Sequence, residues 1–488
     1  MSAGLATVTF ADLIFHHALA RPEKPAIVLA DRVVTYDMIA QGILRAQDRV
    51  AALGLERGAP VCVALDSPIR QMIVGAALFR LGHPVIPVAH PDDVLPLQLP
   101  VGDFLHGPGV SLPPGFRQAV VDDAWFAGER RVMAASPPQG FVDEQAVCLI
   151  ALSSGTTGRP KAISLNVKAF QQWIINYYST LGLGGWDRLL CLVGLNSSWG
   201  FSLAAHALFA GRTLLFARSA ARDSLQMISV YGVDAMVATS QQLRELVREQ
   251  AMSPVPCLSL RTVLTGGGLL SRSLIADARA SLCSGIVVLY GSSEAGGTAF
   301  AMGDRLLEAE GATGYVAPWA QVEIVDDDDR ILPAGTDGIL RIRATCQGAP
   351  YPPERASEND SFRGGWFYPG DRGRIAADGM MILSGRTSDI INVGGLKFAP
   401  EGIEDILRGH PSVIEVAAFG AMSGGGIEEV SLAIVARTPV ADRELIEWSA
   451  QRGVPVARVF QLETLPKTPS GKIHRDLLKR RLLGSGKA

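Results

Sequence analysis

Residues 61–88, VCVALDSPIRQMIVGAALFRLGHPVIPV, decide the fold class because they change twice between strand and helix patterns. The short apolar runs Val61 to Leu65 and Val85 to Val88 are typical of buried strands. Between them, Met72 to Leu81 is typical of a helix, and Gly82 ends it. This β–α–β order predicts a parallel sheet covered by helices, and hence an α/β fold.

The same alternation extends in both directions. Val33 to Tyr36 predicts a strand, and apolar residues at helical spacing follow it as far as Leu53. His90 to Gly140 is rich in Pro, Gly and Asp with weak periodicity, so we expect a loose subdomain edge there. Beyond it, further strands are predicted at Val147 to Leu152, Arg188 to Val193, Val233 to Ala238, Thr262 to Leu264 and Ile286 to Tyr290.

The C-terminal third divides into two parts. From about residue 314 to 386, short strands with turn signals predict a small β-rich subdomain. After Arg386 the chain has a helix start of its own at Pro400 and strands of its own at Val413 to Phe419 and Val430 to Val435. We predict a large N-terminal domain over residues 1–386, a small mobile α+β C-terminal domain over 387–488, and a hinge near 386–390.

Composition excludes several functional classes. The 488 residues carry 45 Lys and Arg against 48 Asp and Glu, a net charge of −3, so no global field favours a nucleic acid. With 48% hydrophobic and 19% charged residues, disorder and coiled coil are poor explanations. We find neither a signal peptide nor an apolar run long enough to span a membrane, and expect a cytoplasmic protein. The six cysteines lie far apart, which favours free thiols.

A loop rich in glycine and hydroxyl groups follows the predicted strand at 147–152. It reads Ser153-Ser154-Gly155-Thr156-Thr157-Gly158-Arg159-Pro160-Lys161. Backbone N–H groups and hydroxyls in such a loop can face phosphate oxygens, and a lysine adds a point charge. Only two residues separate the glycines and a proline precedes the lysine, so the loop is not the P-loop of kinases and motors. The alternative is a flexible surface loop.

A second polar turn ends the predicted strand at 286–290. Tyr290-Gly291-Ser292-Ser293-Glu294 combines an aromatic ring, a tight turn, two hydroxyls and a carboxylate. Ligands of α/β sheets bind at the carboxyl ends of the strands. There a tyrosine can stack on a base, and a carboxylate beside phosphates is a natural Mg²⁺ ligand. An ordinary turn is the alternative.

Five motifs in order resemble those of the adenylate-forming superfamily, which contains acyl-CoA synthetases, adenylation domains of nonribosomal peptide synthetases and luciferases. The resemblance runs from about Val33 to Leu478 and rests on SSGTTGRPK (153–161), YGSSE (290–294), WFYPGD (366–371), Gly385-Arg386 with Asp389, and PSGK (469–472). It implies that the protein uses ATP and Mg²⁺ to convert a carboxylic acid into an acyl-adenylate.

The resemblance also implies roles for individual residues. The loop from Ser153 to Lys161 would hold the ATP phosphates, and Glu294 would bind Mg²⁺. The adenine slot would comprise Gly266, Gly267, Gly268, Tyr290 and Gly291, beside Ser292 and Ser293. Asp371 and Arg386 would bind the ribose hydroxyls. Lys472 would reach the substrate carboxylate and the α-phosphate.

Members of this superfamily rotate their small domain after adenylation. The rotation would present the loop with Gly394, Gly395 and Lys397 to a pantetheine thiol. The hinge residue is Asp or Lys in many relatives and is Ser388 here.

The substrate side departs most from the family pattern. Ala162 follows the loop lysine where glycine is usual, and Val167 stands where a histidine is frequent. The acidic residue that amino-acid-activating relatives use is not evident, so a simple carboxylic acid is favoured over an α-amino acid. Candidate acyl-pocket residues are Asn196, Ser197, Trp199, Gly267 and Gly296.

Three functions are compatible with the sequence. The first is an acid–thiol ligase that transfers the acyl group to CoA. The second loads the acid, possibly an aryl acid, onto the phosphopantetheine of a carrier protein. The third is a catalytically silent nucleotide-binding protein, against which the joint presence of Glu294, Asp371, Arg386 and Lys472 argues. The oligomeric state, monomer or homodimer, is left open.

Overall fold

The structure is a computed structural model, and it describes most of the chain. The described ranges are residues 7–97, 99–101, 103–112, 116–133, 140–153, 161–180, 185–218, 220–268, 270–309, 311–354, 361–386, 391–393, 396–398, 400–422, 428–467 and 473–483.

Helices and strands alternate through the first 300 residues. The α-helices are α1 (Phe10–Ala20), α2 (Tyr36–Ala52), α3 (Pro68–Leu81), α4 (Val167–Thr180), α5 (Ser198–Phe209), α6 (Ala221–Tyr231), α7 (Ser240–Met252), α8 (Arg272–Ser281), α9 (Pro400–Arg408), α10 (Asp442–Ala450) and α11 (Arg475–Leu483). The strands of this part are β1 (Pro25–Leu29), β2 (Arg32–Thr35), β3 (Val61–Ala64), β4 (Val85–Pro87), β5 (Asp103–His106), β6 (Arg117–Val120), β7 (Val147–Ser153), β8 (Lys161–Asn166), β9 (Arg188–Cys191), β10 (Thr213–Leu215), β11 (Ala235–Thr239), β12 (Thr262–Gly266), β13 (Gly285–Ser292) and β14 (Gly296–Met302).

Strands dominate the remaining part of the large domain. These are β15 (Ala312–Val316), β16 (Ala320–Val325), β17 (Gly338–Ala344), β18 (Ala349–Pro350), β19 (Phe362–Arg363), β20 (Trp366–Phe367), β21 (Asp371–Ile375) and β22 (Met380–Arg386). The small domain contributes β23 (Ile391–Val393), β24 (Leu396–Phe398), β25 (Val413–Met422), β26 (Glu428–Ala436) and β27 (Val456–Gln461).

Two sheets form the large domain. The first runs β18-β8-β7-β4-β3-β5-β6, with parallel pairing from β7 through β4, β3 and β5 to β6. The second contains the parallel run β10-β9-β11-β12-β13 and continues through antiparallel β14, β15 and β22 into the β-rich part. The largest apolar core, with Ile43, Leu78, Phe170, Phe201 and Leu264 fully or almost fully buried, includes residues of both sheets and of α1 to α5. The predicted α/β fold class is confirmed.

The predicted loose edge at His90 to Gly140 is wrong in one respect, because two strands of the first sheet lie within it. Strand β5 pairs parallel with β3, and β6 pairs parallel with β5. Arg117 and Asp103 form an ion pair across β6 and β5, with Nε and Oδ1 3.1 Å apart. The two strands are hard to predict from the sequence because they are short and lie among prolines. Their register in the sheet is set by tertiary contacts.

The β-rich part is continuous with the parallel sheet. Strand β14 pairs with β13 on one side and β15 on the other, and β15 leads through β22 and β21 to β17. The small domain has a separate three-stranded sheet, β25-β26-β27, with its own apolar core around Ile403, Leu407, Leu432 and Leu445. Among the described residues, no helix is both long and apolar enough to cross a membrane.

Candidate active site

The carboxyl ends of β12 and β13 present a bare strip of backbone. The two strands pair in parallel with Gly266 opposite Leu289, so the glycines after β12 lie beside Tyr290. A Cβ at Gly266 would lie 2.3 Å from the Leu289 carbonyl oxygen, and a Cβ at Gly291 would lie 2.4 Å from the Gly296 carbonyl oxygen. Only glycine permits these approaches, and the strip beside the Tyr290 ring has no side chains; Gly266 is buried, whereas Gly267, Gly268 and Gly291 are exposed.

Tyr290, Asp371 and Arg386 meet in one cluster. The Tyr290 hydroxyl donates to Oδ2 of Asp371 at 2.6 Å, and Nε of Arg386 donates to Oδ1 at 3.1 Å. Asp371 and Arg386 stand directly opposite each other in the antiparallel pair β21 and β22, which explains their ion pair. Burial and the Asp371 carboxylate raise the pKa of the Tyr290 phenol, so Tyr290 acts as a donor.

The turn after β13 places the predicted metal ligand. Ser292 accepts a hydrogen bond from the Ala295 N–H at 3.1 Å, and Ser293 lies 2.8 Å from Ser198 Oγ at the start of α5. The Glu294 carbonyl oxygen accepts from Gly348 N–H at 2.7 Å, which fixes the backbone of the turn. Within the described part of the chain, no side chain pairs with the Glu294 carboxylate, so this carboxylate fits a Mg²⁺ ligand.

The predicted phosphate loop connects two antiparallel strands. Ser153 ends β7 and stands opposite Lys161, the first residue of β8. Nζ of Lys161 donates to Ser361 Oγ at 3.4 Å. The intervening Ser154, Gly155, Thr156, Thr157 and Gly158 lie outside the described residues.

The predicted acyl-pocket residues fall into two groups. The Trp199 ring packs on the glycine strip, 3.7 Å from the Cβ position of Gly266 and 4.0 Å from that of Gly267. Ser197 caps α5 by accepting from Gly200 N–H at 3.0 Å. Asn196 instead lines a cavity of about 430 Å³, together with residues after β3, β4, β9 and β10 and the start of α7. Gly296 lies elsewhere, against the ring of Trp173, so the structure does not bring Asn196 and Gly296 together.

A second, much smaller cavity lies behind β13. Its volume is about 10 Å³, and its walls are Trp173, Asn176, Tyr177, Leu289, Gly297 and Trp319. The sequence did not single out Trp173, Tyr177 and Trp319. Of these, Trp173 packs against Gly296, which was a predicted pocket residue. The signal was present in the chain as a tryptophan and a tyrosine four residues apart on α4, but helical aromatic residues are most often ordinary core.

The structure leaves the predicted small-domain residues largely undescribed. Ser388, Gly394, Gly395 and Lys472 lie outside the described residues, as does the side chain of Lys397. The backbone of Lys397 belongs to β24 and pairs with Asn392 of β23. Their predicted roles therefore stay predictions.

Comparison with known proteins gives the family. A family described as "AMP-binding enzyme" matches residues 113–351. This match and the relatives that follow support the adenylate-forming superfamily. It is 26% identical over 503 residues to the fatty acid–[acyl-carrier-protein] ligase ScoC of Streptomyces coeruleorubidus, covering 96% of this chain and 95% of that protein. It is 24% identical over 492 residues to a 2-succinylbenzoate–CoA ligase of Bacillus mycoides, covering 97% and 98%.

Solved structures share the fold of this chain. O-succinylbenzoate coenzyme A synthetase of Bacillus subtilis, determined with ATP and a magnesium ion, superposes with a TM-score of 0.83 at 22% identity. The match covers 96% of this chain and 99% of that one. The amide bond synthetase McbA of Marinactinospora thermotolerans gives a TM-score of 0.81 at 21% identity, covering 97% and 99%.

Proposed function

We propose that this adenylate-forming enzyme activates a carboxylic acid with ATP and Mg²⁺ and transfers the acyl group to the thiol of CoA. The observation that carries the proposal is the glycine strip beside Tyr290, with Asp371 and Arg386 at its edge. A strip without side chains beside an aromatic ring suits a planar base, and an adjacent carboxylate and guanidinium suit vicinal hydroxyls. The relatives named as acid–thiol ligases support the same reaction class.

The chemistry proceeds in two displacements. In the first, a carboxylate oxygen of the acid bonds to the α-phosphorus of ATP while the bond to the β-phosphate oxygen breaks, and pyrophosphate leaves with the electron pair. In the second, the thiol sulfur bonds to the acyl carbon, AMP leaves, and the thiol proton passes to solvent. Both steps bring anions together, so positioned cations and donors supply most of the catalysis.

Each residue has a defined task in this scheme. Lys161 and the loop before it would hold the β- and γ-phosphates, and Lys472 would bridge the acid and the α-phosphate. Glu294 would hold Mg²⁺, which when bound neutralises charge on the phosphate oxygens. Asp371, itself fixed by Tyr290 and Arg386, would orient the ribose.

Two thiol acceptors fit this scheme, CoA and a carrier protein. The named relatives include users of each, the fatty acid–[acyl-carrier-protein] ligase and the 2-succinylbenzoate–CoA ligase. The test is pyrophosphate release over a panel of carboxylic acids, with CoA and a phosphopantetheinylated carrier protein added in separate reactions. Acid-dependent release followed by acyl-CoA formation is expected. Acyl transfer to the carrier alone would establish the second function, and no release with any acid would refute acid activation.

Lys472→Ala separates nucleotide binding from adenylation. We expect it to abolish pyrophosphate release, because no other cation would bridge the two reacting anions, while ATP binding measured by calorimetry stays close to wild type. Lys479→Ala, on helix α11, is the matched control and should keep full activity. An unchanged rate in Lys472→Ala would remove this lysine from the mechanism.

A further inference from the structure

The small cavity behind β13 adjoins the nucleotide strip through Leu289. This residue precedes Tyr290, and its carbonyl oxygen lies under the Cα of Gly266. Gly297, on the opposite wall, pairs directly with Gly291 across β13 and β14. The cavity therefore begins where the glycine strip ends. With the base on the strip, an acid whose carboxylate lies beyond the end of the strip, past Gly291, would direct its remaining atoms toward this cavity.

Trp173 closes the far end of the cavity and is firmly held. Its side chain is 4% exposed, and its indole N–H donates to the Cys346 carbonyl oxygen at 3.0 Å. The ring fills the space that a side chain at position 296 would need, since a Cβ at Gly296 would lie 2.6 Å from its Nε1. Gly296 has φ +67°, a conformation that also favours glycine. Glycine at position 296 therefore leaves the space that the Trp173 indole occupies.

A second indole closes the side of the cavity. Trp319 donates its N–H to the Gly297 carbonyl oxygen at 2.6 Å and stacks on Phe300 with the ring planes 18° apart. Because each of the two indole N–H groups has a fixed backbone partner, neither ring can turn aside without losing a buried hydrogen bond. The remaining space of about 10 Å³ holds about one water-sized group.

The chemistry of the walls limits what can enter. The lining residues are three aromatic rings, Leu289, a glycine and the Asn176 amide, and they include no carboxylate and no cation. Asn176 uses Oδ1 to accept from Gln172 at 2.7 Å, and among the described residues its Nδ2 has only the weak acceptor Cys346 Sγ, at 3.9 Å. No wall residue would pair with the ammonium group of an amino acid. A long chain would meet the two indoles that line the cavity.

We propose that Trp173 and Trp319 set the size limit of the acid pocket and restrict this enzyme to short-chain aliphatic carboxylic acids. The inference rests on the proposed function, because it names the acid that the adenylation site takes. Trp173 and Trp319 are specificity residues in this scheme and take no part in the bond changes.

Two variants change the cavity in opposite directions. Trp173→Leu removes the indole and lengthens the cavity. Gly297→Ala narrows it, since the added Cβ would lie 3.1 Å from Leu289 Cδ1, a side-chain atom that can shift into the cavity. Trp125→Leu is the matched control, because Trp125 is a similarly buried indole, 8% exposed, in the same core and away from this cavity.

The experiment measures kcat/KM for pyrophosphate release with acetate, propanoate, butanoate, hexanoate, octanoate, benzoate and phenylacetate. The wild type should favour the shortest acids. Trp173→Leu should raise the ratio of hexanoate to propanoate about tenfold or more, in line with the discrimination per methylene of hydrophobic pockets. Gly297→Ala should lower the ratio of butanoate to acetate, and Trp125→Leu should keep the wild-type profile.

The outcomes separate the inference from the function on which it rests. Release with no acid at all overturns the proposed function. Release that favours octanoate or the aromatic acids in the wild type leaves acid activation standing and overturns the size limit. An unchanged chain-length profile in both cavity variants overturns the assignment of the cavity. If Trp173→Leu does not fold, Gly297→Ala still decides, because it retains both indoles.

Discussion

Tyr290 joins two distant parts of the chain through one hydrogen bond. Strands β14, β15 and β22 separate β13 from β21 in the sheet, yet the Tyr290 hydroxyl reaches Asp371 at 2.6 Å. Tyr290→Phe leaves a largely buried carboxylate with one donor fewer. We expect the free energy of unfolding to fall by about 1–2 kcal/mol and KM for ATP to rise more than kcat falls. Denaturant titration and steady-state kinetics measure the two effects.

Tyr315→Phe is the matched control for that prediction. Tyr315 Oη also lies beside a carboxylate, 3.4 Å from Asp378 Oδ2, but this contact is exposed. Its loss should change the free energy of unfolding by less than about 0.5 kcal/mol and leave KM for ATP unchanged. Equal effects of the two substitutions would mean that Tyr290 has no special relation to the nucleotide.

A substitution at Glu294 tests the proposed metal site. Glu294→Gln keeps the shape of the side chain and removes the charge that Mg²⁺ prefers. We expect the Mg²⁺ concentration for half-maximal pyrophosphate release to rise roughly tenfold or more. Glu308→Gln, which removes an exposed partner of Arg305, should leave the Mg²⁺ dependence as it is. An unaltered curve for Glu294→Gln would refute the metal assignment.

Helices α4 and α5 pack around a histidine that stays neutral. His206 is fully buried, its Nδ1 lies 2.8 Å from the Ile174 carbonyl oxygen, and the rings of Tyr177, Tyr178 and Trp186 surround it. Burial lowers the pKa of His206 from 6.5 to about 4. The unfolded chain therefore binds the proton more readily between these two pH values.

Acid should destabilise this pair of helices through His206. Above pH 6.5 His206 is neutral in both states and the free energy of unfolding is not reduced. As the pH falls from 6.5 towards 4, protonation of the unfolded chain lowers the free energy of unfolding progressively, by about 3 kcal/mol in total. His206→Phe cannot take up the proton, so its free energy of unfolding should fall less between pH 7 and pH 5 than that of the wild type. His16→Gln, at an exposed position on α1, should follow the wild type. Parallel curves for His206→Phe and the wild type would contradict the prediction.

Elements with strong periodicity were predictable from the sequence, and contacts between elements were not. The strand at 61–64 and the helix ended by Gly82 carry local signals, and Gly82 indeed has φ +78°. Strand β6 has none, because Arg117 to Val120 is mostly exposed and gains its register only by pairing with β5. The position of motif residues at strand ends was predictable because the strands that precede them carry strong local signals. Trp173 was not, since its role depends on Gly296, far away in sequence.

The two domains meet where like charges lie close together. Arg244 on α7 lies near Arg408 of α9, and burial together with this second cation lowers the pKa of Arg244 to about 10. Asp405 and Glu404 oppose that effect, while burial raises the pKa of the Asp405 carboxyl. Burial and a neighbouring like charge both disfavour the charged form of a side chain, so the Arg244 guanidinium costs stability in this arrangement. Arg244→Met removes this cost and should therefore raise the free energy of unfolding.

The same charges bear on the proposed rotation of the small domain. Rotation would carry α9 away from α7 and relieve the repulsion between Arg244 and Arg408, so Arg244→Met stabilises the domain arrangement seen here relative to the rotated one. If the small domain rotates as the resemblance implies, each half-reaction would need a different one of the two arrangements. Acid-dependent pyrophosphate release and thiol-dependent thioester formation, measured separately in single turnovers, should thus change in opposite directions in Arg244→Met. Arg248→Met, one turn further along α7, is the control and should change neither. Equal changes in both half-reactions would mean that α7 and α9 do not bias the rotation.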